Sequence, residues 1–333
     1  MTQQSGARVV TAPAPLTPTQ ARVFDQLLAV GADRPVMPAT LATDLVALLT
    51  ERVTPSLHAW TESRMWLSKS KVETALRCEG QLAADAAAPR TQSLHPATAV
   101  GIVTHKAIQL AHTHPNRPVT AYVDLAIRAA QAEESFNNFW NDADVAVQSD
   151  LMGQMVSKTT AFLDSFPPLD ETWTPRFEES MQAKVGKLVM AARPDFTLGR
   201  PRADLRQTMF LADMKTGGLN DSHEDEAMFY ALVATLRHGV APYRSVVYSL
   251  ASGEWTNPDV TPARLYAAAE RVIGAVESIT DVLTDRRPPL LSAGRHCTWC
   301  PAQATCPAAQ SDNLLAQAVS ISNVEIATTP CFD

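Results

Sequence analysis

Phe210-Leu211-Ala212-Asp213-Met214-Lys215-Thr216-Gly217-Gly218 is the stretch from which the fold of this chain is read. An apolar run closed by a glycine pair predicts a short strand over 208–214 and a turn after it. Side chains alternate across a strand, so Asp213 and Lys215 leave on one face while Met214 points to the other. Upstream, Arg193-Pro194-Asp195 places a second carboxylate at the start of the preceding strand. The Gly186-Lys187 turn predicts that these strands run as consecutive hairpins. Two carboxylates converging beside a lysine suit a hard divalent cation, with a positive group left over to hold a water or a developing negative charge. An Asp-x-Lys pair at a strand end is by itself more often a solvated ion pair, so the rest of the chain has to decide.

The cysteines supply the second pattern. Cys297, Cys300 and Cys306 lie within ten residues, with Cys78 far upstream and Cys331 close to the end. Three thiolates so spaced form a metal-binding knuckle one ligand short, because tetrahedral zinc and a cubane iron–sulfur cluster both need four. Cys78 or Cys331 can complete the set, with His296 as a weaker candidate. The first residues lack an apolar leader and no run is long enough to span a bilayer, so the expectation is a cytoplasmic protein (host cytoplasm if phage-encoded), with reduced thiols and no membrane.

Composition narrows the class. A chain of 333 residues, 46% hydrophobic with 13 glycines, can bury one large core with a helical extension. No G-x4-G-K-[S/T] run is present, which argues against a built-in motor. The net charge of −7 excludes indiscriminate coating of nucleic acid and leaves room only for local cationic tracks. Three are available: Lys69, Lys71 and Arg77; Arg200, Arg202 and Arg206; and Arg286, Arg287 and Arg295. The H-x-E of a zinc deaminase and the second histidine of a zinc-protease helix are both missing.

Hydrophobic periodicity predicts helices over 19–61, 68–78, 99–114, 120–140, 145–166, 222–237 and 262–284, with Ser68 as an N-cap and Pro167-Pro168 as a stop. Strands are predicted over 176–184, 187–192, 195–198, 208–214 and 244–250. The organisation expected is a tail over 1–16, a helical extension over 17–66, an α/β domain over 67–310 that takes in the cysteine segment, and a tail over 311–333.

In this order the motifs resemble the RecB-type branch of the PD-(D/E)XK nucleases that carry an iron–sulfur cluster, such as the AddB nuclease domain and the CRISPR-associated adaptation exonucleases. The resemblance runs from Leu67 to Pro307. Its residues are the helix ending in Cys78, Gly101-x3-His105, Glu178 or Glu179, Asp195, Asp213-Met214-Lys215, Glu226-x3-Tyr230 and the closing cysteine trio. Glu226 stands where the family usually has glutamine, and Glu79 where proline is usual. Tyr230 could equally pack against the sheet.

The resemblance implies a restriction-endonuclease-like fold, a central mixed sheet flanked by helices, with the cysteine segment behind it. It implies Mg²⁺ or Mn²⁺ held by His105, Asp195, Asp213 and the Met214 carbonyl, with Lys215, Glu226 and Tyr230 completing the catalytic set. It further implies a 4Fe-4S cluster on Cys78, Cys297, Cys300 and Cys306, for which zinc is the competing occupant. The activity implied is a DNA exonuclease working from single-stranded ends in recombination, repair or phage DNA processing, alone or with a helicase or recombination partner. The alternative is a non-catalytic DNA-end-binding subunit of a helicase-nuclease complex.

Overall fold

A computed structural model describes residues 15–28, 37–88, 94–201 and 207–310; most of the first expected tail, all of the second, and Cys331, Arg202 and Arg206 lie outside them. In chain order the elements are α1 (Pro18–Val23), α2 (Leu41–Ala59), β1 (Met65–Leu67), α3 (Lys69–Arg77), α4 (Glu79–Ala87), α5 (Pro96–Thr113), α6 (Val119–Ala130), α7 (Glu134–Asp142) and α8 (Val145–Ser165). There follow β2 (Arg176–Phe177), β3 (Met181–Val185), β4 (Leu188–Ala192), β5 (Phe196–Leu198), β6 (Phe210–Lys215), α9 (Ser222–His238), β7 (Arg244–Ser249) and α10 (Pro262–Leu283). The described chain divides into two compact units.

The first unit gathers the described parts of Met1–Leu49, Thr91–Val185 and Val189–Ala269. Its four-stranded sheet has the order β2-β5-β6-β7. β5 and β6 are antiparallel, with Phe196 opposite Ala212. β6 and β7 are parallel, with Asp213 opposite Val247, and α9 makes the crossover that a parallel pair requires. Consecutive hairpins therefore hold for β3–β4, through the Gly186-Lys187 turn, and for β5–β6, while β2 skips its neighbour to pair with β5.

Three predicted elements are divided, the first being the helix expected over 19–61, which is split into α1 and α2 with residues 37–40 outside any helix. The helix expected over 120–140 is broken between α6 and α7. The buried positions of α6 end at Ala130 and those of α7 begin at Phe136, a six-residue step that puts them out of helical phase. The strand expected over 176–184 is interrupted by Glu178, whose φ of 52° lies in the left-handed region.

An aromatic core holds this unit together. Phe162 and Phe166 stack 4.9 Å apart, and Phe166 meets Phe196 and Tyr248 edge-on at 5.4 and 5.6 Å. Val23, Phe24, Leu27 and Leu28 from the N-terminal turns bury their side chains in the same core. α8 ends as Pro167-Pro168 requires, with Phe166 extended as its C-cap.

The second unit comprises the described parts of Thr50–Arg90, Gly186–Leu188 and Glu270–Asp333. Ser68 caps α3 as expected, accepting from the Lys71 N–H at 3.3 Å. Cys78 is at once the C-cap of α3 and the N-cap of α4, with an extended backbone. Lys187 is fastened here, its ammonium donating to the Trp60 carbonyl at 3.0 Å and its own carbonyl accepting from the Met65 N–H at 3.0 Å. Phe166→Ala is expected to lower the stability of the first unit by about 3–5 kcal/mol, read as a shifted urea midpoint of the near-ultraviolet signal.

Candidate metal centre and cysteine cavity

Asp195 lies one residue before β5, and Asp213 is the fourth residue of β6, so the antiparallel register brings both carboxylates to one end of the sheet. Both are buried. The Asp195 carboxylate accepts from the Met214 N–H and faces His105 Nδ1 of α5 at 3.1 Å. Its own backbone carbonyl accepts from the Glu178 N–H at 3.0 Å. Candidate ligand atoms of His105, Glu178 and Asp195 all fall within 4.8 Å of one another. His105 Nε2 is buried with no hydrogen-bond partner among the described residues.

Lys215 points into the same site. Its ammonium donates to Asp213 Oδ2 at 2.7 Å and to Glu226 Oε1 at 2.8 Å, so two carboxylates hold it. Tyr230, four residues after Glu226 and on the same face of α9, donates its hydroxyl to Asp213 Oδ1 at 3.0 Å. Tyr230 is buried and acts here as a donor that orients Asp213. Met214 turns its side chain into the aromatic core while its N–H faces Asp195. Arg193, with an exposed side chain, reaches Glu178 Oε2 at 2.9 Å.

The excess of carboxylates sets the local electrostatics. Burial, then the charges of Asp213 and Asp195, push the Tyr230 phenol far above its ordinary range, so it stays a proton donor. Glu178 is pushed up by burial and by Asp195, against the pull of Arg193. For His105 burial favours the neutral ring, but Asp195, Asp213 and Glu178 together outweigh it and hold the imidazole above its ordinary value.

The sequence left Glu178 and Glu179 open, and the structure separates them: Glu178 joins the site, while Glu179 makes a surface pair with Arg176 at 2.6 Å. Sequence reasoning missed Arg193, although its place two residues before Asp195 was in view. Arg286 and Arg287, expected in a cationic track, are instead paired with Asp281 and Glu79.

In the second unit Cys78, Cys297, Cys300 and Cys306 all line one cavity of about 390 Å³, together with Leu291, Ser292 and His296. Cys78 is buried and the other three are half-exposed. The trio is arranged by tight turns, with the Cys300 N–H donating to the Cys297 carbonyl at 3.2 Å and the Cys306 N–H to the Ala302 carbonyl at 2.8 Å. Burial pushes the Cys300 thiol up, and Asp85, Cys78 and Cys297 add to this. His296 turns Nε2 toward the Ser292 carbonyl at 3.0 Å.

No match to the chain is found among curated protein sequences. The PD-(D/E)XK nuclease superfamily matches residues 66–307, a span that begins in β1, runs through His105, Asp195, Asp213 and Lys215, and closes just past Cys306. With most of its length so matched, and with helices flanking mixed sheets that carry the paired carboxylates and the lysine, the chain belongs to the PD-(D/E)XK nuclease superfamily and has its restriction-endonuclease-like fold.

Proposed function

We propose that this protein is a Mg²⁺- or Mn²⁺-dependent deoxyribonuclease that degrades DNA from free single-stranded ends, an exonuclease of the RecB type serving recombination, repair or phage DNA processing. The observation that carries the reading is the convergence of His105, Glu178 and Asp195 within 4.8 Å, with Asp213 and Lys215 bound into the same network. A donor set of carboxylate oxygens with one imidazole, whose Nε2 is buried and orphaned, fits a hard divalent cation and gives manganese a footing beside magnesium. His105, Glu178, Asp195 and Asp213 would hold it. The Met214 carbonyl leaves the strand on the same edge as its N–H, toward Asp195, which supports its inclusion. The cation supplies Lewis-acid polarisation of a phosphate and a lowered pKa for water.

The chain's own residues do the rest. Lys215 orients the attacking water and balances charge building on the phosphate oxygens. Glu226 and Asp213 fix its ammonium from two sides, and Tyr230 holds Asp213 from the other oxygen. Arg193, exposed beside the carboxylates, is placed to meet a backbone phosphate. A helicase or recombination partner would supply strand opening, since the chain has no phosphate-binding motor motif.

For the cysteine cavity the reading is a 4Fe-4S cluster on Cys78, Cys297, Cys300 and Cys306, with a structural role. Tetrahedral zinc, at about 2.3 Å from each sulfur, would draw four thiolates to roughly 3.8 Å from one another. Zinc on the same four thiolates is the competing occupant. Brown protein with broad absorbance toward the blue agrees with this; colourless protein holding one zinc per chain after anaerobic purification rejects it.

One observation favours the second reading, a DNA-end-binding subunit without catalysis: Lys215 is neutralised by two carboxylates rather than one. End-labelled single-stranded DNA separates the two. The nuclease reading expects degradation with Mg²⁺ or Mn²⁺, sparing of circular DNA, and a loss of about 10²–10³-fold or more in Asp213→Ala and Lys215→Ala, with folding and colour kept. A gel shift without degradation under both metals would sink it.

The electrostatics add a pH signature. The proton on His105 must leave before the ring can bind a cation, and its pKa is raised, as is that of Glu178. Mn²⁺ affinity is therefore expected to strengthen as pH rises, by up to about tenfold per pH unit below the His105 value, and to level off above it. Titration calorimetry on the parent chain and on His105→Gln checks this; equal pH slopes in the two would show that another group controls the proton.

A further inference from the structure

Glu79 opens α4 directly after Cys78 and is only 5% exposed. Its carboxylate meets Arg287 in a two-pronged pair, with Nη1 at 2.6 Å from Oε2 and Nη2 at 2.7 Å from Oε1. The Leu290 N–H donates to Oε2 at 2.8 Å. Arg287 is steadied in turn by Asp281, whose Oδ2 lies 3.1 Å from Nε. Beside this pair, the Gly80 N–H donates to the Leu290 carbonyl at 3.2 Å.

These bonds close the segment 287–290 onto the first turn of α4. That turn follows Cys78, and the segment leads into Leu291, Ser292 and His296 on the cavity wall, then into Cys297. Contact is close enough that a Cβ on Gly80 would stand 2.3 Å from Leu291 Cδ2. Glu79 does not line the cavity, so it is itself no candidate ligand.

We propose that the Glu79–Arg287 fork is a positioning device for the cysteine cavity, holding Cys78 against the segment that carries Cys297, Cys300 and Cys306 before any metal is bound. The proposal rests on the reading of these four cysteines as one ligand set. Ligands drawn from distant parts of a chain lose much of their binding energy to the ordering of the intervening loop. A bidentate ion pair with a buried acid, next to the first ligand, meets that cost in advance. Removing the arginine leaves the buried Glu79 without its fork, and removing the acid leaves Arg287, about a third exposed, on Asp281 alone, so in either case the segment loses its tie to α4.

The test uses the full chain made metal-free under anaerobic conditions, compared with Glu79→Gln, which keeps the shape and loses the charge, and Arg287→Lys, which keeps the charge and loses the fork. Hydrogen exchange of 287–300 is followed first, with the amides of β6 and α9 as the control for folding. Ferrous iron and sulfide are then supplied, and the visible absorbance is followed during loading and during later challenge with a chelator. The expected result is exchange about tenfold or more faster in that segment for both variants, unchanged exchange in β6 and α9, and absorbance lost about tenfold sooner. Equal exchange and equal retention in parent and variants would overturn the device while leaving the cluster in place. A parent chain that takes up neither iron nor zinc would overturn the ligand set and the device with it.

Discussion

The Asp195 carboxylate is the tie on which the candidate metal centre depends. One oxygen takes the Met214 N–H from β6 and the other faces His105 on α5, while the backbone of the same residue takes the Glu178 N–H beyond β2. Three stretches of chain are thus referred to a single buried residue. Because the carboxylate binds a backbone amide, it also covers a donor that the short β5 leaves unpaired. Loss of that side chain would strip the β6 amide of its partner as well as removing negative charge.

Around this tie the site is a balance of opposite charges, buried at Asp195 and Asp213 and open to water at Glu178 and Arg193. Four carboxylates, Glu178, Asp195, Asp213 and Glu226, share two fixed cations and one histidine. Burial and then the neighbouring carboxylates raise Glu178 and Tyr230, and for His105 the carboxylates outweigh burial, so the three share a negative field that proton uptake relieves. A divalent cation relieves the same field.

Much of this was legible in the sequence, for physical reasons that can be named. β6 announced itself through an apolar run ended by glycines, and the spacing of Asp213 and Lys215 followed from the pleat. The Ser68 cap and the Pro167-Pro168 stop are local backbone chemistry and were read correctly. Glu178 was harder, because a left-handed residue between two strands leaves no periodic trace. Tyr230 was ambiguous because α9 is buried from Ala227 to Thr235 without a break, so no amphipathic stripe says which way a side chain points. The Glu79–Arg287 pair joins residues 208 apart, and no pattern in a single sequence reports a contact of that range.

That separation also orders events during biosynthesis. At about 5–20 residues per second, translation leaves roughly 10–40 seconds between the appearance of Cys78 and that of its partners. Throughout that interval the nascent chain offers a solitary thiol beside an unpaired acid, exposed to oxidants and stray ions. The wall of the cysteine cavity is therefore completed late in the order of synthesis, and the first unit can begin to fold before the second holds all its parts.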